Sequence, residues 1–356
     1  MRPQFDPEAY RPCFPPDRQR YGIAFIGSGS VVRKWQLPQY RANGLQVIGI
    51  WDRDPKAVTA TLAEHSDLRS YPSVEALLND SNVSVVDIAT TVRGRAALIG
   101  KALAAGKHVL AQKPLCVSVD ELGMLRAAAA AAPDIRFAVN LNGRWAPPWR
   151  VATNLIRDGA IGDIVAVTHF HDIAMRWLPD PDRHGSPLFL LFDYMIHWLD
   201  ISLVWLQARG LFRVWAHIVT REHDDSDGLT TQVGWLSLVS DMGVCVSIRA
   251  VAAARRYSGH PFVVHGTAGT LRGAVDSPVG GDYIEIDDGA VVERPTLEGN
   301  WFPQGCLGSI GELLTSVHEG REPEHGFRHA SRTQELVLAA CRSAEAGGQP
   351  MDVILS

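Results

Sequence analysis

No cysteine pair in the sequence has metal-ligand spacing. The five cysteines, Cys13, Cys116, Cys245, Cys306 and Cys341, are scattered, odd in number and never arranged as C-x-x-C. That pattern excludes a zinc knuckle and a disulfide framework, and it leaves reduced, buried thiols as the expectation. No apolar run reaches the roughly eighteen residues needed to cross a bilayer as a helix, and the opening M-R-P-Q-F-D-P-E-A-Y-R-P-C-F-P-P lacks the apolar centre of a signal peptide. Long Lys/Arg runs are also missing and the net charge is −5, so there is no electrostatic case for nucleic acid or an anionic membrane as partner. The absences together lead to the expectation of a cytoplasmic protein whose partners are small molecules.

What is present suffices for about two domains: 356 residues, 46% hydrophobic and 21% charged, as in globular proteins. The stretch from Tyr21 to Arg53, Y-G-I-A-F-I-G-S-G-S-V-V and then G-I-W-D-R, reads as strand, tight turn, helix and strand. Ile23–Ile26 is a short continuous apolar run, as in a central parallel strand buried on both faces. Gly27 and Gly29 allow a sharp turn and close approach to a pyrophosphate, which would rest on the N–H groups of Ser30, Val31 and Val32 opening the helix. Val32 occupies the third glycine position of the dinucleotide fingerprint. Asp52, twenty-five residues after Gly27, is placed to accept hydrogen bonds from an adenosine ribose. Its carboxylate repels a 2′-phosphate and favours NAD, whereas neighbouring Arg53 acts in the opposite sense, so NADP stays open.

Strand and helix patterns then alternate: helical segments at 55–65 and 73–78, a strand at 83–89, a helix at 95–105, a strand at His108–Ala111, a helix from Val119 stopped by Pro133, and a strand at 136–139. This succession implies a doubly wound parallel sheet, so the division is an arm at 1–20, a dinucleotide-binding domain at 21–142 and a substrate-binding and oligomerisation domain at 143–356. Beyond the boundary come a strand at 164–170, a long apolar helix at 190–206, and alternating strands at 214–220, 231–239 and 244–251. A mostly antiparallel sheet with one covered face follows. Its other face, with ten tryptophans available as anchors, suits a homodimer or homotetramer packed sheet to sheet.

Open α/β sheets bind ligands beyond the carboxyl ends of their strands, which adds Thr90, Gln112 and Lys113 to the expected cofactor contacts and makes Lys113 a candidate for chemistry. In L-F-L-L-F-D-Y-M-I-H-W-L-D, Asp193, His197 and Asp200 are spaced four and three apart, on one face of a helix that is otherwise apolar. Buried polar groups without partners cost roughly 1–3 kcal/mol each, so these three either satisfy one another or face a cavity that uses them. His197 can move a proton near neutral pH with Asp193 orienting it or a substrate hydroxyl, and Asp200 is assigned to structure. A purely structural network is one alternative. Another is metal ligation by Asp193 and His197, but no obvious third ligand stands beside the pair, His169 and His171 being the only candidates near, and no metal is expected.

Taken together, the motifs W-D-R-D-P, A-A-G-K-H-V-L-A-Q-K-P-L, N-G-R-W-A-P, R-D-G-A-I-G-D-I, D-Y-M-I-H-W-L-D, H-G-T-A-G-T-L and W-F-P-Q-G resemble those of the Gfo/Idh/MocA oxidoreductases, over nearly the whole chain from Tyr21. The resemblance implies a Rossmann domain followed by an open-faced α/β domain, with the active site between them. It identifies Lys113 with the lysine of the E-K-P motif, and Asp193 and His197 with the D-x-x-x-H pair. His197 then exchanges a proton with the substrate hydroxyl, Lys113 orients and polarises that oxygen, and hydride passes to the nicotinamide. Three positions depart from the pattern: Gln112 replaces the usual Glu, Arg95 stands at a histidine position, and Met195 replaces the glycine of D-x-G-x-H.

The expected activity is NAD(P)-dependent oxidoreduction at a secondary alcohol of a sugar, polyol or related cyclic substrate. Lys113, Arg144, Trp145, Asp193 and His197 are the expected substrate contacts, and His171, Arg176 and Trp177 are further pocket candidates. Net non-redox chemistry on a retained cofactor is a second possibility on this fold, and a non-catalytic sensor a third; retention of Lys113, Asp193 and His197 argues against the sensor.

Overall fold

The computed structural model describes residues 10–173, 188–221, 231–252, 254, 258–276 and 281–355. Residues 1–9 of the expected arm, and Arg176 and Trp177, lie outside the described residues. Among the described residues the chain forms two compact units, one made of Pro12–Asn142 with Phe302–Ser331, the other of residues 10–11, Gly143–Trp301 and 332–355.

In the first unit, β1 (Ile23–Ile26), β2 (Val47–Trp51), β3 (Arg69–Ser70), β4 (Val85–Ile88), β5 (His108–Ala111) and β6 (Phe137–Val139) build one sheet. Their order is β3-β2-β1-β4-β5-β6 and every pair is parallel. The chain winds outward in both directions from β1 and β4, so the order reverses between these two strands, where such sheets bind nucleotides. All eight residues of β1 and β4 are buried, as their unbroken apolar runs imply, with one polar exception at Asp87.

The core beneath this sheet includes Phe25, Leu37, Tyr40, Ile50 and Leu110, together with Leu307, Ile310, Leu313 and Leu314. The last four come from the helix Trp301–Glu319, which the sequence division placed wholly in the second domain. Its apolar stripe packs on the parallel sheet instead. Periodicity in the sequence specifies that such a stripe must be covered but not by which unit. Part of the N-terminal arm is bound here too. Phe14 packs on this core, and a Cβ at Gly311 would lie 2.4 Å from the Cys13 carbonyl oxygen, so this helix needs a glycine where the arm crosses it.

The second unit carries the nine-stranded sheet: β7 (Ile164–Ile173), β8 (Gly210–Arg221), β9 (Thr231–Ser240), β10 (Cys245–Ala252), β11 (His260–Gly266), β12 (Thr270–Val275), β13 (Tyr283–Asp287), β14 (Val292–Glu293) and β15 (Met351–Leu355). The order is β14-β13-β12-β11-β7-β10-β9-β8-β15, antiparallel except for β7 with β10. Along β10, Val246, Ile248, Ala250 and Ala252 are buried while Cys245 and Ser247 are exposed, the alternation of a sheet covered on one face. The fold is thus a doubly wound parallel α/β unit and a mostly antiparallel α+β unit. Among the described residues no helix is long and apolar enough to cross a membrane.

Asp87 is a group that sequence reasoning passed over. In the centre of β4 its Oδ2 accepts hydrogen bonds from Gln36 Nε2 and Tyr40 OH, each at 2.8 Å. Burial raises its carboxyl to about 7, and these two hydrogen bonds offset part of the effect. Between the unfolded value of about 4 and this raised value the folded chain holds a proton that the unfolded chain has released. Stability from this group is therefore full below pH of about 4 and is lost as pH rises through 7. From pH 5 to pH 8 the unfolding free energy in urea should fall by roughly 2–3 kcal/mol more for the wild type than for Asp87→Asn. Parallel pH profiles for the two proteins would show that Asp87 does not titrate there.

Candidate functional site

In the first unit the glycine turn closes on β4. Gly27 has φ +105°, and a Cβ there would lie 2.6 Å from the Ala89 carbonyl oxygen, so only glycine fits. The turn is held by Gly27 N–H donating to Trp51 O at 2.7 Å and Ser28 N–H donating to Asp52 Oδ2 at 2.7 Å. Asp52 Oδ1 accepts from Asp54 N–H at 2.9 Å, and Asp54 in turn caps the helix Pro55–Glu64. Asp52 thus braces the turn, a task the sequence did not disclose. A carboxylate offers about four acceptor positions, so capacity for a ribose hydroxyl remains.

By contrast, a Cβ at Gly29 would meet nothing within 4 Å. The helix starts directly after it, with Arg33 N–H donating to Gly29 O, so the amides of Ser30, Val31 and Val32 precede the first intrahelical bond. An open glycine facing the first amides of a helix fits a pyrophosphate. Ser30 and Val31 are exposed, whereas the Val32 side chain is fully buried in the core, so any contact from Val32 is through its backbone. The helix widens to a π turn over Val32–Gln36, with Leu37 N–H reaching back five residues to Val32 O. Pro38 follows at once; it cannot donate, and its ring would crowd the carbonyl four residues earlier, which the wider turn relieves.

Thr90 and Gln112 sit past the ends of β4 and β5 with Lys113, all three half-buried, and Arg53 is exposed. Gln112 N–H continues the ladder to Ile88 O at 3.0 Å, and its side-chain Nε2 is buried with no hydrogen-bond partner among the described residues. An orphaned donor at this edge suits a bound polar group.

In the second unit His197 is 7% exposed and stands at the start of the helix Ile196–Trp205. The edge-on ring of Trp301 packs against it, centroids 5.0 Å apart. A Cβ at Gly143 would come within 2.7 Å of the Trp149 ring and 3.4 Å of His197 Nδ1, so N-G-R-W supplies a glycine where the chain passes between these two side chains and has no room for one of its own. Trp149 and Trp198 cross edge to face at 5.5 Å, which fixes the wall behind it.

The expected single helix at 190–206 is interrupted. Leu190–Tyr194 forms a π turn in which Met195 N–H bonds Leu190 O, five residues back, and regular helix resumes at Ile196. Asp193 lies in the wide turn and His197 in the regular helix that follows the break. Asp200 is turned elsewhere. It takes a bidentate ion pair from Arg144 (Nε and Nη2, each 2.6 Å) and a 2.8 Å hydrogen bond from Thr333 Oγ1.

That arrangement corrects the expectation for Arg144, which is 4% exposed and committed to Asp200 rather than displayed for a ligand. Trp145 is buried to the same degree. His171 is likewise enclosed, its Nδ1 2.8 Å from His260 Nδ1 and its ring 3.9 Å from Trp198. His260, which sequence reasoning missed, is pushed down to about 4 by burial. His169 is fully buried and held down to about 3 by desolvation. Ser202 Oγ spends its proton on Trp198 O at 2.8 Å, so His169 Nε2 donates to Ser202 Oγ at 3.0 Å.

Residues 21–140 match the family described as "Oxidoreductase family, NAD-binding Rossmann fold", and residues 149–272 match the "GFO/IDH/MocA C-terminal domain". The chain belongs to the Gfo/Idh/MocA oxidoreductase family. It is an NAD-binding oxidoreductase. It is similar to a 1,5-anhydro-D-fructose reductase from Ensifer adhaerens, 27% identical over 73% of this chain and 78% of that one. A D-apiose dehydrogenase from Paraburkholderia graminis is 25% identical over 92% of this chain and 89% of its own length. Among solved structures, an oxidoreductase from Agrobacterium radiobacter in complex with NAD+, L-tartaric acid and magnesium superposes with TM-score 0.77 at 22% identity, covering 94% of this chain and 98% of the other. At that identity the likeness shows the fold.

Within the Gfo/Idh/MocA pattern, the departure at Met195 has a packing explanation. Met195 is fully buried, and a Cβ at Gly234 of β9 would lie 3.2 Å from its sulfur, so a glycine in the sheet makes room for the side chain that replaces the usual glycine in the helix. The Arg144–Asp200 pair is a strong constraint, because removing one partner leaves a buried charge uncompensated. Arg144→Leu should lower unfolding free energy by about 3–5 kcal/mol, and adding Asp200→Leu should recover much of that loss. Denaturant titration of both variants checks this, and a double variant no more stable than the single one would refute the charge argument.

Proposed function

We propose that this oxidoreductase interconverts a secondary alcohol and ketone of a sugar, polyol or related cyclic substrate, with His197 taking the proton from the hydroxyl on oxidation and returning it on reduction. The observation that carries the reading is the setting of His197: a nearly buried imidazole fixed by Trp301 and by the side-chain-free Gly143 beneath it. A general base must be held in one orientation, and aromatic packing does this without adding a competing charge. Lys113 polarises the substrate oxygen as a point cation, and Asp193 orients the hydroxyl or the imidazole.

Bound NAD supplies the hydride acceptor. Gly29 and the amides after it would hold its pyrophosphate, Asp52 its ribose, and Thr90 and Gln112 the face beyond β4 and β5. The sugar assignment draws on the relatives named for 1,5-anhydro-D-fructose and D-apiose. We place the protein in the cytoplasm as a homodimer or homotetramer.

Turnover of 1,5-anhydro-D-fructose and its reduced polyol, D-apiose and a panel of cyclic polyols with NAD(H) and NADP(H) tests the substrate class. On the best substrate, His197→Ala should lower kcat by about 10²–10⁴-fold with NAD affinity nearly intact. In the same titrations Asp52→Ala should weaken NAD more than NADP. Near-normal turnover in a destabilised His197→Ala protein would leave that residue a structural role, and equal losses for both cofactors would remove Asp52 from their discrimination.

Assembly through the large sheet is supported by its solvent-facing side. Phe170, Arg249, Trp235 and His217 form one cross-strand row over β7, β10, β9 and β8, and Val219, two residues from His217, adds apolar surface. Phe170 and Trp235 are 39% and 46% exposed, an apolar display that a protein interface would cover. Trp235→Glu should shift the sedimentation coefficient to that of a smaller species; an unchanged oligomer would put the interface elsewhere.

A further inference from the structure

Arg95 is a cation in an unfavourable place. It opens the helix Arg95–Ala104 immediately after Gly94, whose φ is +77°, and it is only 3% exposed. The N-terminus of a helix carries partial positive charge, so a buried guanidinium there must gain compensating bonds elsewhere. Its Nη1 donates to the Gln112 carbonyl at 2.8 Å and also to the Pro114 carbonyl, and its Nη2 donates to the Thr90 carbonyl. Two of these acceptors flank Lys113 on either side. The third belongs to the loop after the neighbouring strand β4.

We propose that Arg95 is a positioning residue for Lys113. A lysine side chain has four flexible carbons, and the direction in which it leaves the backbone follows from the peptide planes before and after it. The Gln112 carbonyl belongs to the peptide plane that enters Lys113 and the Pro114 carbonyl to the plane one residue beyond it, so by holding both Arg95 anchors the turn on each side of Lys113, and by holding Thr90 it locks that turn to the end of β4. Charge-assisted hydrogen bonds are roughly twice as strong as neutral ones, and little water reaches this site to compete. The planar guanidinium can serve carbonyls on two loops at once. A histidine, which the family pattern has at this position, offers at most two N–H donors and cannot bridge all three. The departure therefore substitutes a main-chain clamp for whatever that histidine does in its relatives.

The inference rests on the reading of Lys113 as the cation at the substrate oxygen, and its test separates the two. Trace acetylation of the native full-length protein with acetic anhydride, read by peptide mass spectrometry, reports Lys113 reactivity against exposed Lys56 without needing turnover. Arg95→Ala should change the Lys113 rate by about fivefold or more and leave Lys56 unaffected, since loss of the clamp is local. Arg95→Lys keeps charge and length but not the fork, and it should restore less than half of the difference; it also decides the comparison if Arg95→Ala does not fold.

On the best sugar substrate, Arg95→Ala should lower kcat roughly 10–100-fold, yet by less than about twofold in a Lys113→Met background, because residues that act through one another are not additive. Unchanged Lys113 labelling in a folded variant, or equal losses of kcat in both backgrounds, would overturn the positioning role. Normal turnover by Lys113→Met would instead overturn the reading of Lys113, an outcome the labelling keeps distinct.

Discussion

The first unit depends on a close approach at Gly27, where β1 ends against the Ala89 carbonyl and no side chain fits. With φ +105° the chain turns sharply enough for Gly27 N–H to bond Trp51 O, and this brings Ser28 N–H onto Asp52. The same carboxylate holds Asp54, and Asp54 caps the next helix. One missing Cβ thereby couples the ends of β1, β2 and β4. The coupling continues through Thr90, one residue after Ala89, to Arg95 and the carbonyls on either side of Lys113. This edge of the sheet is thus a continuous network in which the Asp52, Asp54 and Arg95 side chains tie successive main-chain groups together.

The second unit reaches similar rigidity by a different route. Polar residues pair within its interior: Asp200 with Arg144 and Thr333, His171 with His260, and His169 with Ser202. Tryptophans fill the space between them, with Trp198 in contact with Trp149, Trp301 and His171. In the same interior His197 packs against the edge-on ring of Trp301. Residue type alone does not separate these cases. The choice of partner does.

Several features were legible before any coordinates. The apolar run at Ile23–Ile26, the glycines after it and the acid ending the second strand dictate a buried parallel strand, a tight turn and a helix start, because each depends on backbone sterics and local periodicity. The alternation in β8, β9 and β10 likewise announces a sheet with one covered face, since side chains alternate between faces with a period of two. The rule that ligands bind beyond strand ends makes Lys113 a candidate from chain order alone.

Tertiary structure decided what depends on contacts between distant residues. Spacings of four and three set Asp193, His197 and Asp200 on one stripe of a single helix, but a π turn interrupts that helix before Met195, and Asp200 pairs with Arg144, 56 residues away. Asp87, which the sequence pattern does not single out, is closed over by Tyr40 and Gln36, and Arg95, a departure from the family pattern, has three carbonyl partners on two loops. The helix Trp301–Glu319 joined a core whose other members lie some 160 to 290 residues earlier in the chain. Local sequence determines the conformations a segment can adopt and the face it must bury. Which partner satisfies a buried charge, and which sheet receives an apolar stripe, is set by the free energy of long-range contacts that no short window of sequence contains.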